Sequence, residues 1–174
     1  MADHAERTRH VVVMGVSGSG KTTIAEGVVA RTGMTFAEAD AFHPRANIEK
    51  MESGVALTDE DRGPWLEALN AWMQERSEAG DSTAITCSAL RRRYRDVLRT
   101  GLPSLDFVHL DGPAEVIRER ITSRRGHFMP PQLLQSQFDL LEPLGPDESG
   151  IVLDVRRPPE EIITAAVAWL GVRG

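Results

Sequence analysis

Gly15-Val16-Ser17-Gly18-Ser19-Gly20-Lys21-Thr22 matches the Walker A pattern Gly-x-x-x-x-Gly-Lys-Thr in full. Glycines let the backbone curl until successive N–H groups point inward at phosphate oxygens. A helix opening at Lys21 adds the partial positive charge of its N-terminus. The lysine is placed to reach the β- and γ-phosphates of ATP, and the Thr22 hydroxyl to ligate Mg2+. The expected phosphate site is therefore Gly15, Ser17, Gly18, Ser19, Gly20, Lys21, Thr22 and Thr23. The loop by itself serves kinases, GTPases and ATP-driven switches alike. No Asn-Lys-x-Asp element for reading guanine occurs, which counts against a GTPase.

A second group follows a short apolar stretch. Asp40 stands just past it, where a carboxylate can accept the proton of an attacking hydroxyl and orient Mg2+ through water. His43, Asn47 and Lys50 follow at spacings that put much of the set on one side of a short helix. Arg62 offers a planar fork suited to a carboxylate; the alternative is an ion pair with Asp59 or Asp61. Ser88 leaves another strand beside Cys87, and Cys87 reads as a buried strand-end thiol, since in-line phosphoryl transfer needs no thiolate. In the arginine-rich run 91–99, Arg95 is the side chain expected to turn inward. Arg120 and Arg124 share a helix face, from which an arginine can cover the triphosphate.

These groups need a frame. Apolar runs alternate with amphipathic stretches, the mark of an α/β domain around a parallel sheet. Strands are expected at Val11–Met14, Thr35–Ala39, Thr83–Thr86, Asp106–Leu110 and Gly150–Val155. Helices are expected at Lys21–Arg31, from Pro44 to near Gly54, at Asp61–Glu78, Arg92–Arg99, Pro113–Arg124 and Pro159–Leu170. The expected fold is three-layered and of the P-loop NTPase type, with about five parallel strands, helices on both faces and a lid insertion. Residues 1–10 read as a disordered tail, 11–174 as one kinase domain, and about 126–147 as the lid. Closure of such a lid excludes the water that would hydrolyse ATP.

The stretch from Asp40 to Gly54 resembles the corresponding part of the gluconokinase family. The resemblance continues through Leu57–Leu66, Cys87-Ser88-Ala89-Leu90, Tyr94-Arg95-Asp96, Arg124–Met129 and Ser136-Gln137-Phe138, from about Val11 to Ala168. Ala39 stands where the family usually has glycine and Ala56 where it often has proline; neither change removes a polar group. The resemblance implies ATP-dependent phosphorylation of D-gluconate at its 6-hydroxyl, with Lys21, Asp40 and Arg124 as the catalytic set. Gluconate would be bound by Asp40, His43, Asn47, Lys50, Arg62, Ser88, Arg95, His127 and Gln137. Arg120 and Arg124 would contact phosphates, and Arg157 and Pro158 would flank adenine, as in related kinases. A homodimer is also implied. The rivals are a kinase for another small anion, such as shikimate or a nucleoside monophosphate, and a non-catalytic ATP-binding regulator. The regulator would be marked by loss of Lys21, Thr22 or Asp40, and all three are present.

Composition agrees with a small soluble enzyme. The net charge of −6 argues against general nucleic-acid binding. No apolar run nears the roughly 18 residues of a membrane span, and the polar start lacks a secretory signal. A single cysteine fits a reducing cytoplasm.

Overall fold

A computed structural model describes residues 8–123 and 131–172. Five parallel strands form one sheet: β1 (His10–Met14), β2 (Thr35–Glu38), β3 (Thr83–Thr86), β4 (Leu105–Asp111) and β5 (Gly150–Asp154). Their order is β2-β3-β1-β4-β5, with β1 central. Continuous burial of β1 follows from that position: Val11 and Val13 pack on one face and Val12 and Met14 on the other.

The helices divide accordingly. Helices α1 (Lys21–Thr32) and α7 (Pro159–Val172) cover the first face, with Ile24, Val28, Ile162 and Ala166 in one core. Helices α3 (Asp59–Glu78) and α4 (Arg92–Arg99) cover the second, through Trp65, Leu69, Met73, Tyr94 and Leu98. Helices α2 (Arg45–Glu52), α5 (Ala114–Ser123) and α6 (Pro131–Leu140) lie toward the carboxyl ends of the strands or between β4 and β5.

Three expectations change. The chain is anchored earlier than a tail over 1–10 implies: Thr8 and His10 are buried, and the His10 ring bonds Thr83 Oγ1 at 2.7 Å and Thr8 Oγ1 at 3.2 Å. Helix α3 begins at Asp59, not Asp61, because Thr58 and Asp61 form a reciprocal capping box. Part of the segment read as a lid is α6, whose Leu133 and Leu134 are buried, so this part packs on the body of the protein. No helix among the described residues is long and apolar enough to cross a membrane.

Candidate active site

β1 ends at Met14, and the glycine-rich loop turns from it into α1. A β-carbon at Gly15 would lie 2.7 Å from the Leu110 carbonyl oxygen, and Gly15 has φ +149°. At Gly18, φ +82°, it would lie 2.4 Å from Ile121 of α5. Only glycine meets both demands, a left-handed backbone and a neighbour in contact. Ser19 is buried within the loop, and its Oγ has no partner among the described residues. Lys21 Nζ folds back on the loop, donating to the carbonyls of Gly15 (3.0 Å) and Val16 (3.1 Å). Burial lowers its pKa, against which the charge of Asp40 acts. Thr23 is exposed on α1.

The loop forms one wall of a cavity of about 440 Å3. Ser17, Gly18, Gly20, Lys21 and Thr22 line that wall, and Asp40, His43, Arg62 and Ser88 also line the cavity. These groups come from separate stretches of the chain; the sheet brings them together because all leave carboxyl ends of parallel strands or the helices that follow. Asp40 sits on a short 3-10 turn, Ala39–Phe42, directly after β2. Its carboxylate makes no hydrogen bond among the described residues. His43 stacks on Trp65 with ring centroids 4.0 Å apart, and Nδ1 lies 3.3 Å from the Asn47 amide nitrogen. Burial lowers the His43 pKa, so the ring is neutral at pH 7.

Arg62 escapes the ion pairs proposed as its alternative. Lys50 takes Asp61 at 2.8 Å, and Asp59 is shared by Tyr94, Arg91 and Arg93. Arg62 Nη1 instead donates to the Leu57 carbonyl at 2.6 Å and to Tyr94 Oη at 3.2 Å.

Glu38 belongs to this site and was not found from the sequence. It is the last residue of β2 and pairs in register with Thr86 of β3. Thr22 Oγ1 donates to Glu38 Oε1 at 2.8 Å, and Thr86 Oγ1 to Oε2 at 3.0 Å. The available hint is Glu38-Ala39-Asp40, two carboxylates one residue apart where β2 ends. Hard oxygen donors beside the Walker A threonine suit Mg2+, which commonly keeps waters and phosphate oxygens as its other ligands. Among the described residues no three His, Cys, Asp or Glu side chains converge into a metal cage.

Other expected residues lie elsewhere. Arg95 does turn inward but not toward the cavity. It is fully buried, and its Nε and Nη2 donate to Glu148 at 2.7 and 3.0 Å. Carbonyls of Ala89, Leu90 and Pro143 accept its remaining hydrogens, so no donor remains for a substrate. Asn47 is buried behind His43, donating to the Asp61 carbonyl at 2.8 Å, and it does not line the cavity; nor does Lys50, which is held by Asp61. Arg120 Nη2 donates to the Val155 carbonyl at 2.5 Å, past the end of β5. Arg157 and Pro158 are exposed on the next turn, where Arg157 lies 3.6 Å from Glu161. Gln137 of α6 does line the cavity, yet its amide clasps the phosphate loop, accepting from Ser17 N at 2.7 Å and donating to Ser17 Oγ at 3.2 Å. Arg124 and His127 lie outside the described residues. Cys87 is buried in the cavity wall, and burial pushes its thiol up to about 12, in keeping with no nucleophilic role.

Comparison with known proteins bears on this arrangement. A family model described as an AAA domain matches residues 11–144. A gluconokinase from Gluconobacter oxydans is 46% identical over 157 residues, covering 90% of this chain and 88% of the relative. The crystal structure of an unliganded sugar kinase from a Janibacter species superposes with a TM-score of 0.92 at 67% identity, covering 95% of both chains. A gluconokinase from Sinorhizobium meliloti superposes with a TM-score of 0.87 at 44% identity, covering 94% of this chain and 92% of that one.

Proposed function

The chain belongs to the gluconokinase family and phosphorylates D-gluconate with ATP, and from that premise we propose how its residues do so. The carrying observation is one cavity lined both by the phosphate loop and by Asp40, His43, Arg62 and Ser88. A donor of phosphate and a polyhydroxylated acid thereby meet in a single space.

ATP enters along the loop, and its phosphates replace the carbonyls of Gly15 and Val16 as partners of the Lys21 ammonium. Thr22 and Glu38 would hold Mg2+, directly or through water; bound there, the ion supplies positive charge to the β- and γ-phosphates. Arg62 takes the gluconate carboxylate. His43, whose Nδ1 faces the Asn47 amide, turns Nε2 to a sugar hydroxyl, and Ser88 meets another. Asn47 and Lys50 act behind this layer, fixing His43 and the start of α3.

The 6-hydroxyl oxygen then attacks the γ-phosphorus in line. The new O–P bond forms as the bond from the γ-phosphorus to the bridging oxygen breaks, and ADP leaves with that electron pair. Asp40 receives the hydroxyl proton. Lys21 stabilises the charge spreading over the transferred group. We infer a cytoplasmic enzyme, supported by the single cysteine, Cys87, which fits a reducing compartment.

The test is a coupled assay of ADP release with Mg2+ and a panel of acceptors. D-gluconate is expected to give the highest kcat/KM, because a pocket built to hydrogen-bond hydroxyls penalises acceptors that lack them. A higher value for shikimate or a nucleoside monophosphate overturns the assignment.

A further inference from the structure

Arg62 stands among densely paired charges and is itself unpaired among the described residues. Lys50 is paired with Asp61, Arg91 and Arg93 share Asp59, and Arg92 is paired with Asp147. No carboxylate among the described residues lies within ion-pair distance of Arg62. Asp59 is on the same helix, three residues earlier, yet Tyr94 of α4 stands between them. The Tyr94 hydroxyl donates its only proton to Asp59 Oδ1, which leaves its lone pairs to accept from Arg62 Nη1 at 3.2 Å. The Tyr94 ring also lies under the guanidinium, with Cζ 5.3 Å from the ring centroid. The second Nη1 hydrogen goes to the Leu57 carbonyl at 2.6 Å. Nε and Nη2 carry no hydrogen bond among the described residues, and they form the edge that grips a carboxylate through two parallel bonds.

We propose that Tyr94, polarised by Asp59, is a positioning residue for substrate recognition: it holds the Arg62 fork open toward the carboxylate of the acceptor and keeps Asp59 from capturing it. The inference rests on the reading of Arg62 as the carboxylate partner. Its logic is one of charge at one remove. Asp59 orients the tyrosine hydroxyl, whose lone pairs then face Arg62, without occupying the edge the substrate needs. Burial supports a fixed rather than a wandering geometry, since Tyr94 is 3% exposed and packs in the core beneath α3. Without the hydroxyl, Arg62 loses the acceptor that fixes one end of its fork. Asp59 loses its nearest donor and becomes a competing partner for Arg62.

Steady-state constants for D-gluconate and for ATP would be measured on wild type, Tyr94→Phe, Arg62→Ala and the double variant. Tyr94→Phe is expected to raise KM for gluconate about tenfold, with kcat and KM for ATP within about threefold of wild type. In the Arg62→Ala background the same change is expected to add nothing, because the two residues act as one unit. An unchanged gluconate KM in Tyr94→Phe overturns the proposal, as does an equal loss with and without Arg62. So does a parallel fall in kcat and ATP affinity, the mark of a merely structural role. If Arg62→Ala itself leaves gluconate KM unchanged, the carboxylate reading fails and this inference falls with it. If Tyr94→Phe does not fold, Asp59→Asn reads the same split from the exposed end of the couple, and an unchanged KM there overturns the proposal.

Discussion

Glu38 and Asp40 are separated by one residue and differ in their hydrogen bonds. Glu38 accepts the hydroxyls of Thr22 and Thr86, whereas the Asp40 carboxylate is open to the cavity. In the proposed mechanism that difference separates a group that organises the metal side from one that meets the acceptor. Asp40→Asn is expected to lower kcat about 100-fold or more while ATP binding by calorimetry stays near wild type. Glu38→Gln is expected to raise the Mg2+ concentration for half-maximal rate about tenfold, because the amide lacks the carboxylate charge and keeps one acceptor oxygen for two hydroxyls. If Asp40→Asn shifts the Mg2+ dependence and Glu38→Gln does not, the roles are exchanged. The Walker A residues and Asp40 were legible because their chemistry lies in contiguous sequence. Glu38 was not, because its partners come from α1 and from β3, and only the register Glu38↔Thr86 brings them to it.

At the scale of elements, the buried ion pair of Arg95 and Glu148 fastens α4 to the segment before β5. Glu148 is also reached by Arg99 at 2.6 Å. Burial acts to raise the pKa of Glu148 but is outweighed by the hydrogen bonds from Arg95 and Arg99, which hold it at about 2. Arg95→Met leaves this carboxylate buried with its main partner gone. Chemical denaturation should show a loss of about 3–5 kcal/mol. The gluconate KM of the folded variant should stay within about threefold of wild type, since Arg95 does not line the cavity. A large rise in KM with unchanged stability would restore Arg95 to the substrate site. Sequence reasoning had the direction of this side chain and not its destination. An inward arginine is decided by whichever carboxylate the fold delivers, and Glu148 lies far along the chain. Helix α6 was missed for a related reason: it is short, and its apolar residues are explained only by the core that Leu134 joins.

For the whole molecule, acid stability depends on a histidine at the foot of the central strand. His10 is buried between Thr8 and Thr83, and burial lowers its pKa to about 4 from the usual 6.5. The unfolded chain therefore takes up a proton that the folded chain refuses. Stability is lost as pH falls below 6.5, and His10 contributes up to about 3 kcal/mol of that loss by pH 4. His43 and His109, also lowered by burial, act in the same direction. Glu148 and Asp61, held at about 2, lose their stabilising contribution only at lower pH, below the usual carboxylate range. Thermal unfolding from pH 7.5 to 4 should show a falling midpoint in wild type and a shallower fall in His10→Gln. Equal slopes would remove His10 from this account.

The sequence by itself determined the fold class and the nucleotide loop, and it singled out Asp40, His43 and Arg62, which line the cavity, because each rests on local periodicity or on groups close together in the chain. Tertiary structure alone decided which of the remaining candidates face the cavity. It turned Arg95 to Glu148 and Arg120 to Val155, set Gln137 on the phosphate loop, and gave Glu38 to Thr22. The physical reason is common to all four. A polar side chain leaving water takes the partner that best satisfies its charge and hydrogen bonds, and which partner is within reach depends on sheet order and helix packing rather than on distance along the chain.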